Sequence, residues 1–293
     1  LDFPGRRLFE WALLLPLAMP AYVLAYAATD FLQFSGPLQT ALRASTGASG
    51  PLWPDVRSLP GAIVLFTLAL YPYVYLLTRA ALVERGLHLM EAARLLGADL
   101  GRRVREVALP LARPAIAAGV ALALMETLAD YGVGAYFGLT TFTTGIYKAW
   151  LVMDDRIAAA QLATLLLAAV ALLLWAERRA QARLRFAGSR GGGASAGREA
   201  RPLRLRGGWA ALAVALCGLP VLLGFVLPAG VLLWQVWREA VHGEFGLPWD
   251  RFIGWAWTSL KLASLAAAAA VALALLLGFT LRSGPGGAAR PLV

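Results

Sequence analysis

In a chain this apolar, the acids are the first residues to examine for chemistry. Glu126 and Asp130 lie four apart in an apolar run, a spacing that sets both on one helix face. An acid at membrane depth is costly and is a functional candidate by default, lining a path that draws in a cation. The competing reading makes Asp130 the start of an exit loop, since Gly132, Gly134 and Gly138 follow, and leaves Glu126 hydrogen-bonded within a bundle. Tyr71, Tyr73 and Tyr75 offer oxygens of the kind hard cations accept. Residues two apart on a helix point in different directions, however, and bulk packing accounts for them more simply. Cys217 is the one cysteine and sits in an apolar run, so neither a disulfide nor a cysteine metal cluster is available. His88 and His242 are far apart and form no ligand pair, so no metal site is expected. The chain carries neither a Gly-x-x-x-x-Gly-Lys-Ser/Thr phosphate loop nor a His-Glu-x-x-His pair, and is read as a non-enzyme.

These residues must be positioned by membrane spans. The chain of 293 residues is 59% hydrophobic and only 15% charged, against about half and a quarter in soluble domains. A span needs about 20 mostly apolar residues. Six runs qualify: about 8–32, 59–82, 114–137, 157–175, 209–237 and 255–281. Prolines at 16, 20, 72, 220 and 228 fall inside these runs, which is tolerable where neighbouring helices satisfy the freed carbonyls. The expected fold class is therefore an all-α polytopic bundle.

Charge sets the orientation. The net charge of +10 is almost wholly arginine, with lysine only at Lys148 and Lys261. Arginines crowd into alternate loops, at 6–7, 85–113, 178–206 and 282–290, while the other loops are poorer and balanced by Asp and Glu. The positive-inside rule places both ends of this chain and the 83–113 loop in the cytoplasm, and it accounts for the basic balance without nucleic acid. Trp234, Trp237, Trp249, Trp255 and Trp257 then gather at the opposite interface. A basic, Gly-rich stretch over 177–208 reads as a linker between residues 1–176 and 209–293.

The 83–113 loop is more than a connector. Leu87 to Leu96 are good helix formers, and Gly97 suits the position after a helix end, where positive φ carries no penalty. Leu89, Ala92, Ala93 and Leu96 share a face that another surface could approach closely. Pro110 and Pro114 then mark where the next span begins.

The pattern Glu91-Ala92-Ala93, three residues, Gly97, nine residues, then Val107, Leu109 and Pro110 resembles the EAA motif of ABC importer permeases of the MetI-like type. Leu15 to Pro20, Glu126 to Gly132, Thr141 to Tyr147 and Thr258 to Leu262 look most like the fused, two-half permeases of ferric-iron importers; thiamine, phosphonate and polyamine importers share the architecture. The resemblance implies a coupling helix at Glu91–Gly97 that docks into a dimeric ATP-binding subunit. It implies a periplasmic substrate-binding protein as second partner, the bacterial inner membrane as location, and ATP bound by the partner, with no cofactor on this chain. It also implies a piece of a longer protein: an incomplete first half over 1–176 and the start of a second over 209–293. Thr141 to Asp155 would face the binding protein, and ferric iron would be the substrate. An ion-coupled carrier would use Glu126 and Asp130 too, but would have no use for a coupling helix.

Overall fold

The computed structural model describes residues 2–83, 87–188, 205–242 and 248–283. They fold as an all-α protein. In chain order the helices are α1 (Arg6–Ala12), α2 (Ala21–Leu32), α3 (Pro37–Thr46), α4 (Leu59–Ala81), α5 (Leu87–Leu95), α6 (Leu100–Arg103), α7 (Leu109–Ala129), α8 (Gly132–Phe137), α9 (Phe142–Tyr147), α10 (Arg156–Gly188), α11 (Gly208–Val221), α12 (Leu227–His242) and α13 (Trp249–Ser283). Five helical stretches among the described residues are long and apolar enough to cross a bilayer: Leu59–Ala81, Leu100–Ala129, Arg156–Arg179, Gly208–His242 and Trp249–Phe279.

The expected first span is not one helix. Helical residues Arg6–Ala18 and Ala21–Thr46 meet at a bend of 92°. Pro16 and Pro20 withdraw donors from consecutive turns, and Met19, forced out of the helical region by the following proline ring, is extended at φ −101°, ψ 117°. The third span also differs from expectation. It ends at Ala129 rather than Phe137, because Asp130 is extended and caps the short α8. At its other end it begins at Leu100, so helix runs from the middle of the 83–113 loop into the apolar stretch. The fourth helix continues to Gly188, which makes the first part of the expected linker helical. The Gly191–Gly197 stretch lies outside the described residues.

Two prolines bend the ladder without breaking it. Leu109 and Leu227 each donate to the carbonyl five residues back, Val104 and Leu222, closing π turns over Val104–Ala108 and Leu222–Val226. Pro110 and Pro228 follow at once. A proline removes one ladder bond and crowds the carbonyl four residues earlier, and a widened turn is a common relief.

The chain divides into two compact units, Leu1–Leu233 and Trp234–Val293. The first is organised by α4, which packs most extensively on α7. The contact is close because Gly119 leaves no side chain between the helices. A Cβ there would lie 2.5 Å from Val74 Cα and 3.1 Å from the Tyr73 carbonyl. Small residues at the interface are how helices associate in lipid, where apolar surface supplies no drive of its own. On the other side of α4, a core of Leu24, Ala25, Ala62, Leu65, Ala69, Val133 and Phe137 joins it to α2 and α8. The outer surfaces are apolar: none of the Trp249–Phe279 stretch is buried within the protein, which suits a helix solvated by lipid. In the second unit, Trp234, Trp237, Trp249, Trp255 and Trp257 are all exposed, as residues of an interfacial belt would be.

Candidate functional site

Two places carry the residues singled out above: the loop between α4 and α7, and a cleft beside α7's far end. In the loop, α5 ends in a complete Schellman cap. Gly97 adopts φ +83°, its N–H donates to the Arg94 carbonyl at 3.0 Å, and the Ala98 N–H reaches back to Ala93 at 3.0 Å. Asp99 then accepts from the N–H groups of Gly101 and Arg102, starting α6 as soon as α5 has stopped. Between cap and cap there is almost no slack. The direction of α5 is thereby fixed relative to the helix that enters the membrane.

The structure brings the two halves of the motif together. α5 folds back on α6 and on the π turn Val104–Ala108, so Ala93, half-buried, and Val107, half-buried, belong to one small assembly. Glu91, Ala92 and Gly97 remain exposed, as does Leu109; Pro110 is half-buried at the first turn of α7. Sequence reasoning missed Leu95, which with Leu96 forms an apolar knob, 89% and 88% exposed. The available signal was a pair of leucines at the end of a short helix in a loop too polar to lie in lipid. Such a patch on a polar loop marks a protein contact.

The cleft has a volume of about 190 Å³ and is lined by Pro16, Met19, Phe66, Tyr73, Glu126 and Asp130 among others. It exists because the chain breaks between α1 and α2: the turn at Pro16–Pro20 leaves a gap beside α4 and α7 instead of a helix that would fill it. Glu126 is exposed and its carboxylate neighbours the Tyr73 hydroxyl. Asp130 is not on the α7 helix with Glu126 but begins the loop that leaves it, the second of the two readings above, yet both border the cleft. Asp130 is also structurally engaged. Its Oδ1 accepts the Val133 N–H at 2.8 Å and its carbonyl accepts the Thr143 hydroxyl at 2.7 Å. Of the three tyrosines, only Tyr73 reaches the cleft; Tyr71 and Tyr75 neighbour Cys217.

The threonines of Thr141–Tyr147 are spent internally. Thr141 and Thr144 form a reciprocal capping box at the start of α9, and Thr143 holds Asp130. After α9, the turn Lys148–Val152 ends with Trp150, Leu151, Val152 and Met153 all exposed.

The comparisons with known proteins point the same way. The family model described as "Binding-protein-dependent transport system inner membrane component" matches residues 2–186, more than half of the chain. The chain is 29% identical over 186 residues to the sulfate transport system permease protein CysT of Salmonella typhimurium, covering 62% of this chain and 65% of that one. It is 26% identical over 179 residues to the Fe(3+)-transport system permease protein FbpB 2 of Haemophilus influenzae, covering 60% of this chain and 30% of that one. A 2-aminoethylphosphonate transport system permease protein of Salmonella paratyphi A, PhnU, whose own assignment is provisional, is 27% identical over 166 residues, or 56% of this chain and 57% of that one. In each case the match spans less than two thirds of the relative's length.

Proposed function

This chain belongs to the family of binding-protein-dependent transport system inner membrane components, and we propose that it is the membrane-spanning subunit of an ATP-driven importer. Its role is to carry substrate from a periplasmic binding protein to the cytoplasm by alternating access, with ATP bound and hydrolysed on a separate dimeric subunit. The observation that supports this most is the built loop at Glu91–Pro110. A short helix, closed by a Schellman cap and followed at once by the Asp99 cap of α6, exposes Glu91, Ala92, Leu95 and Leu96 and is joined to a membrane helix without a flexible hinge. A docking helix fastened in this way passes displacement on to α7; an ordinary connecting loop would absorb it. Arginine placement supports a cytoplasmic side for the loop, where an ATP-binding subunit would reach it.

The test is crosslinking. In the full-length protein with its ATP-binding subunit, and with Cys217 replaced, a cysteine at Ala93 crosslinks to that subunit, and the yield changes when ATP is bound. An active complex that gives no crosslink from Ala93 or Leu96 removes the docking claim.

For the substrate we infer a cation, with ferric iron foremost. The relatives divide between anions and Fe(3+) at similar identity, so the reading rests on the cleft. Glu126 and Asp130 supply negative charge and Tyr73 a phenol oxygen, which suits a hard cation passing through and disfavours sulfate or a phosphonate. Vesicles holding the reconstituted complex take up radiolabelled iron and not labelled sulfate; sulfate uptake would reverse this assignment while leaving the permease reading in place.

A further inference from the structure

Helix α1 occupies an unusual place. It is only seven residues long, but each of its faces meets something different. Leu8 and Trp11 are exposed, 70% and 76%, as lipid-facing residues would be. Phe9 covers Gly5 at the helix start and lies against Gly218 of α11, where a Cβ would sit 3.8 Å from its ring. Glu10 turns to α4: its two carboxylate oxygens are divided between Arg6 Nε at 3.1 Å, one turn back on α1, and an Arg79 terminal nitrogen at 2.9 Å. Just before α1, the Asp2 carbonyl accepts the Leu205 N–H at 2.8 Å, which holds the residues preceding α11 against the start of the chain.

Arg79 stands in the last turn of α4, immediately before the docking loop. The bifurcated pair therefore fastens α1 to the point where that loop leaves the membrane. A lone exposed ion pair would be of small consequence. Here Arg6 fixes the Glu10 side chain in advance, and charge-assisted bonds to both oxygens give the contact a defined direction. Tyr75 of α4 also lies within electrostatic reach of this group, while α11 meets α1 through Phe9 and Gly218.

We propose that α1 is a strut that transmits displacement of α5 to α11, with Glu10 as the positioning residue that fastens it to α4. The inference rests on the docking role of α5. It gives a role to the acid at the start of an apolar run, and it links the helix beyond the 177–208 stretch to a loop more than a hundred residues earlier in the chain. Coupling of this kind is demonstrated only by a perturbation that both sites feel and that a compensating change repairs.

The experiment uses the full-length protein, bound to its ATP-binding subunits in lipid nanodiscs, with Cys217→Ala and spin labels on cysteines at Leu167 of α10 and Leu216 of α11, both exposed. ATP with vanadate changes the distance between the labels in the parent protein. Glu10→Gln leaves the ATP-binding subunit attached but reduces that change by about half or more. Exchanging the charges, Glu10→Arg with Arg79→Glu in an Arg6→Gln background, restores it. Full distance change in Glu10→Gln overturns the strut, and failure of the exchange to restore it overturns the ion pair as its fastening. A parent protein that binds no ATP-binding subunit sinks the permease reading itself, and the strut with it.

Discussion

Glu126 and Asp130 illustrate how one residue type takes two roles. Asp130 has a structural duty, since its carboxylate caps α8 and its carbonyl holds Thr143. Glu126 has none of this kind: among the described residues no arginine or lysine pairs with it, and its neighbour is the Tyr73 hydroxyl. The expected outcomes separate accordingly. Glu126→Gln keeps the fold and lowers uptake in the full-length transporter by roughly five- to tenfold, the size of one lost charge interaction at a partly solvated site. Asp130→Asn retains a cap acceptor, so thermal stability stays near the parent value while uptake falls less. Normal uptake by Glu126→Gln would remove the cleft from the transport path. The spacing of the two acids was legible in the sequence, and so was an exit loop at Asp130, from the glycines that follow it. That both acids still border one cleft was not, because it depends on where the Pro16–Pro20 turn comes to rest.

At the scale of elements, the α4–α7 pair is the part of the fold most sharply specified. Gly119 sits against the backbone of Val74, and backbone cannot move aside as a side chain can. Gly119→Ala should therefore push the helices apart and cost about 1–3 kcal/mol, measured as a lowered thermal midpoint of the purified full-length protein. An unchanged midpoint would show that the two helices are not held this closely. Ala115, Gly119 and Ala123 are visible in the sequence as a stripe of small residues, and close packing is the natural reading of it. The break at Pro16–Pro20 was not readable in the same way. Prolines also interrupt α4 and the α11–α12 run, where the helix persists through Pro72 or widens ahead of Pro228. Whether a proline kinks or severs a span depends on what neighbours can satisfy the freed groups.

At the scale of the whole molecule, the arginine distribution predicts which loops face the cytoplasm, and thiol labelling tests it. With Cys217→Ala, a cysteine at Leu95 is reached by a membrane-impermeant maleimide only after cells are permeabilised, whereas one at Val152 is labelled from outside. Both positions are well exposed, 89% and 76%, so access turns on the side of the membrane alone. The opposite pattern would invert the topology and remove the docking loop from reach of ATP. By itself the sequence determined the helical class, the apolar runs that supply the long spans, the stop at Gly97 and the family resemblance. These follow from local apolar length, backbone preference and motif spacing, which do not depend on distant partners. Only the tertiary structure decided that the two halves of the Glu91–Pro110 motif touch and that Leu95 and Leu96 protrude. It alone showed the cleft beside Glu126 opening at a broken helix, and Glu10 joining α1 to α4. Each of these depends on where another part of the chain comes to rest: packing between segments far apart in sequence is fixed by shape and charge complementarity, which no local pattern encodes.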